Sequence, residues 1–277
     1  MKRLIATTLL LAFSTAMAGS QNDIHSCYME KLPAPKSTVD DVELFVVIDQ
    51  TTLFDNGLKQ SIANNIRPFI AAGNTVSLIQ FSAFTQGHYT DVLVTAKLDQ
   101  ILSNTVRDDV SKPILAKFDQ CLENQPRQAA QLIGAQLKLA FGGSSSDINK
   151  SDVIASLKDI SGKVRQSSAK RKIVLLASDM LENSSISSFY SKQTVRQLDP
   201  EKELSHLAEN KLFGDFGGAE VYVIGAGLLS EDAKQTKGIY RSPNIMIALS
   251  SFWKTWFQKS NANIVEFGQP ALLNPVH

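Results

Sequence analysis

Residues 42–55 read VELFVVIDQTTLFD and residues 172–182 read KIVLLASDMLE. Each is an apolar run of strand length that closes on an acid, Asp49 in the first and Asp179 in the second. Both runs are mostly Val, Ile, Leu and Phe without clean alternation, as expected of parallel strands covered by helices on both faces. Ligand sites of open α/β sheets lie beyond the carboxyl ends of such strands. Two carboxylates brought there by separate strands could share a hard cation or act on a phosphate.

The elements that must hold these acids follow from periodicity. Residues 57–72 carry Leu58, Ile62, Ile66, Phe69 and Ile70 at helical spacing, with Gly73-Asn74 as the stop. Residues 75–81 form a second apolar strand. Residues 88–98 alternate through Tyr89, Val92, Val94, Ala96 and Leu98, which predicts an edge or antiparallel strand after a tight Gln86-Gly87 turn. A helix is predicted over 111–139, broken near Pro126, and residues 142–146 are a loop. Ser151-Asp152 then caps a helix carrying Val153, Ile154, Leu157 and Ile160.

Beyond the second acid, residues 183–199 are polar and poorly periodic, an irregular excursion on the same edge as the two aspartates. A helix over 201–212, a strand over 219–225, a Pro-initiated amphipathic helix over 243–259 and a last strand over 262–267 complete the chain. This alternation predicts an α/β fold: one doubly wound, mostly parallel six-stranded sheet with one antiparallel edge strand and helices on both faces. No repeat or linker divides it.

Lys2 and Arg3, an apolar stretch from Leu4 to Phe13, and Ala16-Met17-Ala18 fit a signal peptide over 1–18, cut before Gly19. The apolar stretch is half the ~20 residues that a membrane span requires. Residues 19–40 are then an N-terminal extension and 41–277 the domain. Taking Lys2 and Arg3 from the 28 basic residues leaves 26 against 27 acidic ones, which speaks against a basic nucleic-acid surface. Cys27 and Cys121 are the two cysteines, and in an exported chain an even pair favours a disulfide that tethers the extension; two buried thiols are the alternative. His25, His88, His206 and His277 are scattered and form no ligand spacing.

The order of elements resembles a von Willebrand factor A domain. That family often holds a metal ion with Asp-x-Ser-x-Ser after the first strand, a Thr from a later loop and an Asp at the end of the fourth strand. Asp49-Gln50-Thr51-Thr52-Leu53 stands at the first motif, with Thr51 for the first Ser and Leu53 in place of the second. Residues 151–157, Ser-Asp-Val-Ile-Ala-Ser-Leu, resemble the family's Thr-Asp-Ile-x-x-Ala-Leu and make Ser151 the loop hydroxyl; Ser146-Asp147-Ile148 is a competing register. Asp179 matches the last motif. The resemblance implies Mg²⁺ on Asp49, Thr51, Ser151 and Asp179, weakened by the loss of a ligand at Leu53. It also implies a non-catalytic binding or assembly role towards another protein, of the cell envelope or a secretion or conjugation system; the signal peptide places the chain in the periplasm, with secretion beyond it as the alternative.

Other readings compete. In a metal-free site, Asp49 and Asp179 accept hydrogen bonds from loop amides and hydroxyls, and Thr51 and Ser151 are ordinary caps. Residues 49–55 also resemble the first motif of haloacid-dehalogenase-like phosphatases, in which Asp49 is the nucleophile beside Mg²⁺, but without the motif's Gly and its late acidic pair. Gly225-Ala226-Gly227 lacks the third Gly of a dinucleotide loop. Phe252, Trp253, Trp256 and Phe257 are expected to pack on the sheet; the alternative leaves one Trp exposed as a partner anchor.

Overall fold

The first strand, β1 (Val42–Asp49), lies mid-sheet and is buried from Leu44 onward. Its side chains divide by parity: Leu44, Val46 and Ile48 enter one core, Phe45 and Val47 the other. Such division requires helices on both faces, and the uniformly apolar sequence of the strand follows from it. In this computed structural model, residues 22–29, 32–33, 39–82, 90–144, 151–191, 194–229 and 242–277 are described. The expected signal peptide, the Gln86-Gly87 turn and the competing Ser146-Asp147-Ile148 register lie outside them.

After β1 come α1 (Asn56–Ile66) with a 3₁₀ turn, β2 (Thr75–Phe81), β3 (Thr90–Lys97), α2 (Asn104–Asp108), α3 (Lys112–Gly142) and α4 (Val153–Gln166). The second half holds β4 (Arg171–Ala177), a two-residue hairpin of β5 (Tyr190–Ser191) and β6 (Thr194–Val195), α5 (Pro200–Glu209), β7 (Ala219–Ile224), α6 (Pro243–Lys259) and β8 (Ala262–Phe267). The main sheet has the order β3-β2-β1-β4-β7-β8; β3 is antiparallel to β2 and the other pairings are parallel. This is the expected α/β architecture.

Local chemistry starts the helices. Asp55, Asp152 and Asp199 each accept a main-chain N–H at the N-terminus of α1, α4 and α5. Helices α1 and α3 cover one face of the sheet through Ile62, Ile66, Ile133 and Leu137. The opposite face is covered by α4, α5 and α6 through Leu157, Leu204 and Phe252.

One expectation is corrected. Helix α3 runs unbroken through Pro126 for 31 residues. It is anchored on either side of the proline, by Phe118 in a small third core and by Ala129 and Ile133 on the sheet, and that packing outweighs the lost N–H. The aromatic residues of α6 pack on the sheet as expected: Trp253 and Trp256 are both fully buried, which sets aside the alternative of an exposed anchor. Each indole N–H finds a buried carbonyl, on Met180 and Leu212 respectively.

The expected disulfide is present between Cys27 and Cys121. It ties residues 22–29, which form neither helix nor strand, to the N-terminal half of α3. Leu32, Leu102 and Phe118 pack around it.

Candidate functional site

Strands β1 and β4 are parallel neighbours, with Ile48 opposite Ala177. The strand order reverses between them: β2 and β3 lie to one side of β1, and the later strands lie beyond β4. The two carboxyl ends therefore open at the switch point of the sheet, where α/β folds form their crevice. Asp49 is the last residue of β1; Ser178 and Asp179 directly follow β4.

Asp49 is completely buried. One carboxylate oxygen, Oδ1, accepts the Thr51 N–H at 2.9 Å and the Thr51 hydroxyl at 2.6 Å. The other, Oδ2, accepts the Ser178 hydroxyl at 2.6 Å. Thr51 Oγ1 also lies 2.9 Å from Ser151 Oγ. Thr51 has one hydroxyl proton, so with that proton on Asp49 it is Ser151 that donates across this contact. Burial pushes the Asp49 carboxyl above its ordinary pKa, against the opposing pull of Ser178, Thr51 and Thr52.

Asp179 reaches the same cluster through the main chain. Its N–H donates to Thr52 Oγ1 at 3.0 Å, and its Oδ1 accepts the Leu181 N–H at 2.8 Å. Between them Met180 sits at φ +62°, a left-handed conformation that a long side chain rarely adopts. The turn is held from several sides. Met180 N–H donates to Ser178 Oγ at 3.0 Å, the Met180 carbonyl accepts Trp253 Nε1 at 2.8 Å, and the Asp179 carbonyl accepts Gly227 N–H at 2.8 Å. Gly225, at φ +104°, lets the end of β7 approach Phe54 and the Ser178 carbonyl; a Cβ there would lie 2.9 and 3.0 Å from them.

Ser151 precedes α4 and is stitched to the excursion after β4. Its N–H donates to the Asn183 carbonyl at 3.2 Å and its carbonyl accepts the Asn183 N–H at 2.8 Å. Next to this bridge, Glu182 Oε2 accepts the Ile154 N–H at 2.9 Å in the first turn of α4. Glu182 is 1% exposed, and burial pushes its carboxyl up to about 8, with Asp152 adding in the same direction.

The structure thus joins Asp49, Thr51 and Ser151 by hydrogen bonds and places Asp179 one residue beyond Ser178, which binds Asp49. Leu53 is only partly buried beside them. Ser178, Thr52 and Glu182 are members that sequence reasoning missed. Ser178 was within reach, because it stands opposite Asp49 once the β1–β4 register is continued by one residue. Glu182 gives no comparable signal, since its burial depends on how the excursion folds back on α4. Among the described residues no three His, Cys, Asp or Glu side chains cluster, so a cation here needs hydroxyl ligands as well as the carboxylates.

No protein-family model matches the chain, and no curated protein matches it. Among solved structures it is similar to the pilus adhesin SpaC from Lactobacillus rhamnosus GG, at 12% identity and a TM-score of 0.41 over 83% of this chain. The chain spans 28% of that adhesin's length. The N-terminal domain of TFIIH p34 is similar at 12% identity and a TM-score of 0.27, over 77% of this chain and 96% of that one. Scores this low carry no argument about function, and the fold stands on the strand order itself.

Proposed function

We propose that this chain is an exported, non-catalytic protein-binding or assembly module of the von Willebrand factor A type. It engages a partner protein of the cell envelope, or of a secretion or conjugation system, through the face at the carboxyl ends of β1 and β4. One observation carries this reading: a fully buried Asp49 and a nearby Asp179 at the sheet's switch point, with the Thr51 and Ser151 hydroxyls in line on Asp49.

The residues fit Mg²⁺. All four side chains offer hard oxygen, and a divalent cation would offset the burial that now holds the Asp49 carboxyl above its usual range. Asp49, Thr51, Ser151 and Asp179 would hold it. A bound Mg²⁺ would supply a position for a carboxylate of the partner. Leu53 contributes no oxygen, so the affinity is modest. Around that position, Ser178 and Thr52 orient the two acids, and the Ser151–Asn183 bridge fixes the loop hydroxyl.

One observation supports export: the Cys27–Cys121 disulfide, which belongs to an oxidising compartment. Binding is favoured over nucleophilic catalysis because residues 49–55 lack the Gly of the phosphatase motif and no late acidic pair accompanies them.

The test is thermal unfolding of the purified protein in EDTA, Mg²⁺ and Mn²⁺, with Asp49→Ala and Asp179→Ala alongside. A cation at ~100 times its Kd stabilises the fold by about 2.7 kcal/mol. The expected result is a metal-dependent rise in Tm that both substitutions abolish. An unchanged Tm would reject the cation. Turnover of an aryl phosphate that Asp49→Asn abolishes would replace binding by hydrolysis.

A further inference from the structure

The outer edge of β3 is covered by residues 22–29 of the same chain. Asn22 grips the main chain of Lys97 at both ends of its side-chain amide: Nδ2 donates to the Lys97 carbonyl at 3.1 Å and Oδ1 accepts the Lys97 N–H at 2.9 Å. Asp23 does the same for Thr95, with its N–H on the Thr95 carbonyl at 2.9 Å and its carboxylate accepting the Thr95 N–H at 2.8 Å. Thr95 and Lys97 are alternate residues, and their outward N–H and C=O groups are those a further strand would use. Ile24 is buried between this segment and the core that holds Val94 and Ala96.

This cover has little regular structure of its own. Among the described residues its main-chain bond to β3 is the Asp23 N–H, and the Asn22 and Asp23 side chains make the further bonds given above. It is fixed at its far end, where Cys27 is joined to Cys121 on α3. Gln125, one helical turn after Cys121, reinforces the same point: Nε2 donates to the His25 carbonyl and to Asp99 Oδ2, and Oε1 accepts the Asp99 N–H. Asp99 in turn accepts the Cys27 N–H and the Ser26 hydroxyl.

We propose that the Cys27–Cys121 disulfide is a redox latch that closes the β3 edge: the oxidised chain holds residues 22–29 over Thr95 and Lys97, and the reduced chain releases them and leaves a pairing-competent edge. Setting the latch takes two protons and two electrons from the two thiols. A dithiol–disulfide oxidant accepts them through a mixed disulfide and leaves as the dithiol; an excess of dithiol reverses the exchange. In an oxidising compartment the edge is therefore shut, and in a reducing one it is open. The inference is independent of the cation site, which lies at the ends of other strands.

Amide hydrogen exchange reads this directly, because the Thr95 and Lys97 N–H groups are bonded to the cover itself. The full chain is compared oxidised, reduced with dithiothreitol, and as the Cys27→Ser/Cys121→Ser double variant. In the reduced and double-variant forms, Thr95 and Lys97 are expected to exchange near their intrinsic rates, while Val46 in the centre of the sheet stays at least a hundredfold slower. Asn22→Ala with the disulfide intact should free Lys97 and leave Thr95 protected. Unchanged protection at Thr95 and Lys97 on reduction would overturn the proposal. So would a loss that merely keeps step with Val46, because the disulfide would then be a staple for the whole fold.

Discussion

Glu182 sits buried against the first turn of α4 and keeps its proton up to about pH 8, whereas in the unfolded chain it ionises near its ordinary 4.5. Below 4.5 both states are protonated and the group makes no difference to stability. Between those values the unfolded chain releases a proton that the fold retains, so stability falls as pH rises, by at most about 1.4 kcal/mol per unit. Above about 8 this contribution levels off. Asp49, Asp152 and Glu43 are also held above their ordinary values, chiefly by burial, and act in the same sense. Urea melts at pH 4.5, 6 and 8 should show declining stability, and Glu182→Gln should flatten the decline and exceed the parent at pH 8. Parallel profiles for the two proteins would show that Glu182 is not the group responsible. At this scale the sequence disclosed the acids that end apolar runs, Asp49 and Asp179, because a carboxylate closing a buried strand breaks the hydrophobic pattern. It concealed Glu182, whose neighbours in sequence look like an exposed turn.

Among the elements, those that pack into the two main cores were legible. The spans read for residues 75–81, 243–259 and 262–267 coincide with β2, α6 and β8. Less was visible where a segment is held by a partner distant in sequence. The short α2 has no buried residue of its own, and it belongs to a small core assembled around the disulfide, so its periodicity carried no signal. Pro126 shows the converse: a local breaker is overruled because the turns before and after it are packed on different cores. The proline still deprives the Leu122 carbonyl of its helical donor. Pro126→Ala is expected to raise unfolding stability by about 1–3 kcal/mol, less than the full cost of a helical proline because Ala also loosens the unfolded chain. Chemical denaturation of the two proteins measures this, and a loss of stability would show that the ring is needed where it packs.

For the molecule as a whole, two cores on opposite faces of one sheet account for the apolar composition. The disulfide was legible as an even pair of cysteines, but its partner surface was not, since nothing in residues 22–29 marks them as the cover of β3. Closure of a loop between positions 94 residues apart removes unfolded-state entropy worth about 4–5 kcal/mol by the chain-entropy estimate.

The bond from the Trp253 indole to the Met180 carbonyl has an optical consequence. The chain has only two tryptophans, and one of them is tied to the residue after Asp179. Native emission is thus a built-in reporter of that turn. In a Trp256→Phe background, titration with Mg²⁺ should shift the intensity or wavelength of Trp253 emission. The signal should vanish with Asp179→Ala, and emission that stays constant while the Tm rises would place the cation away from this turn.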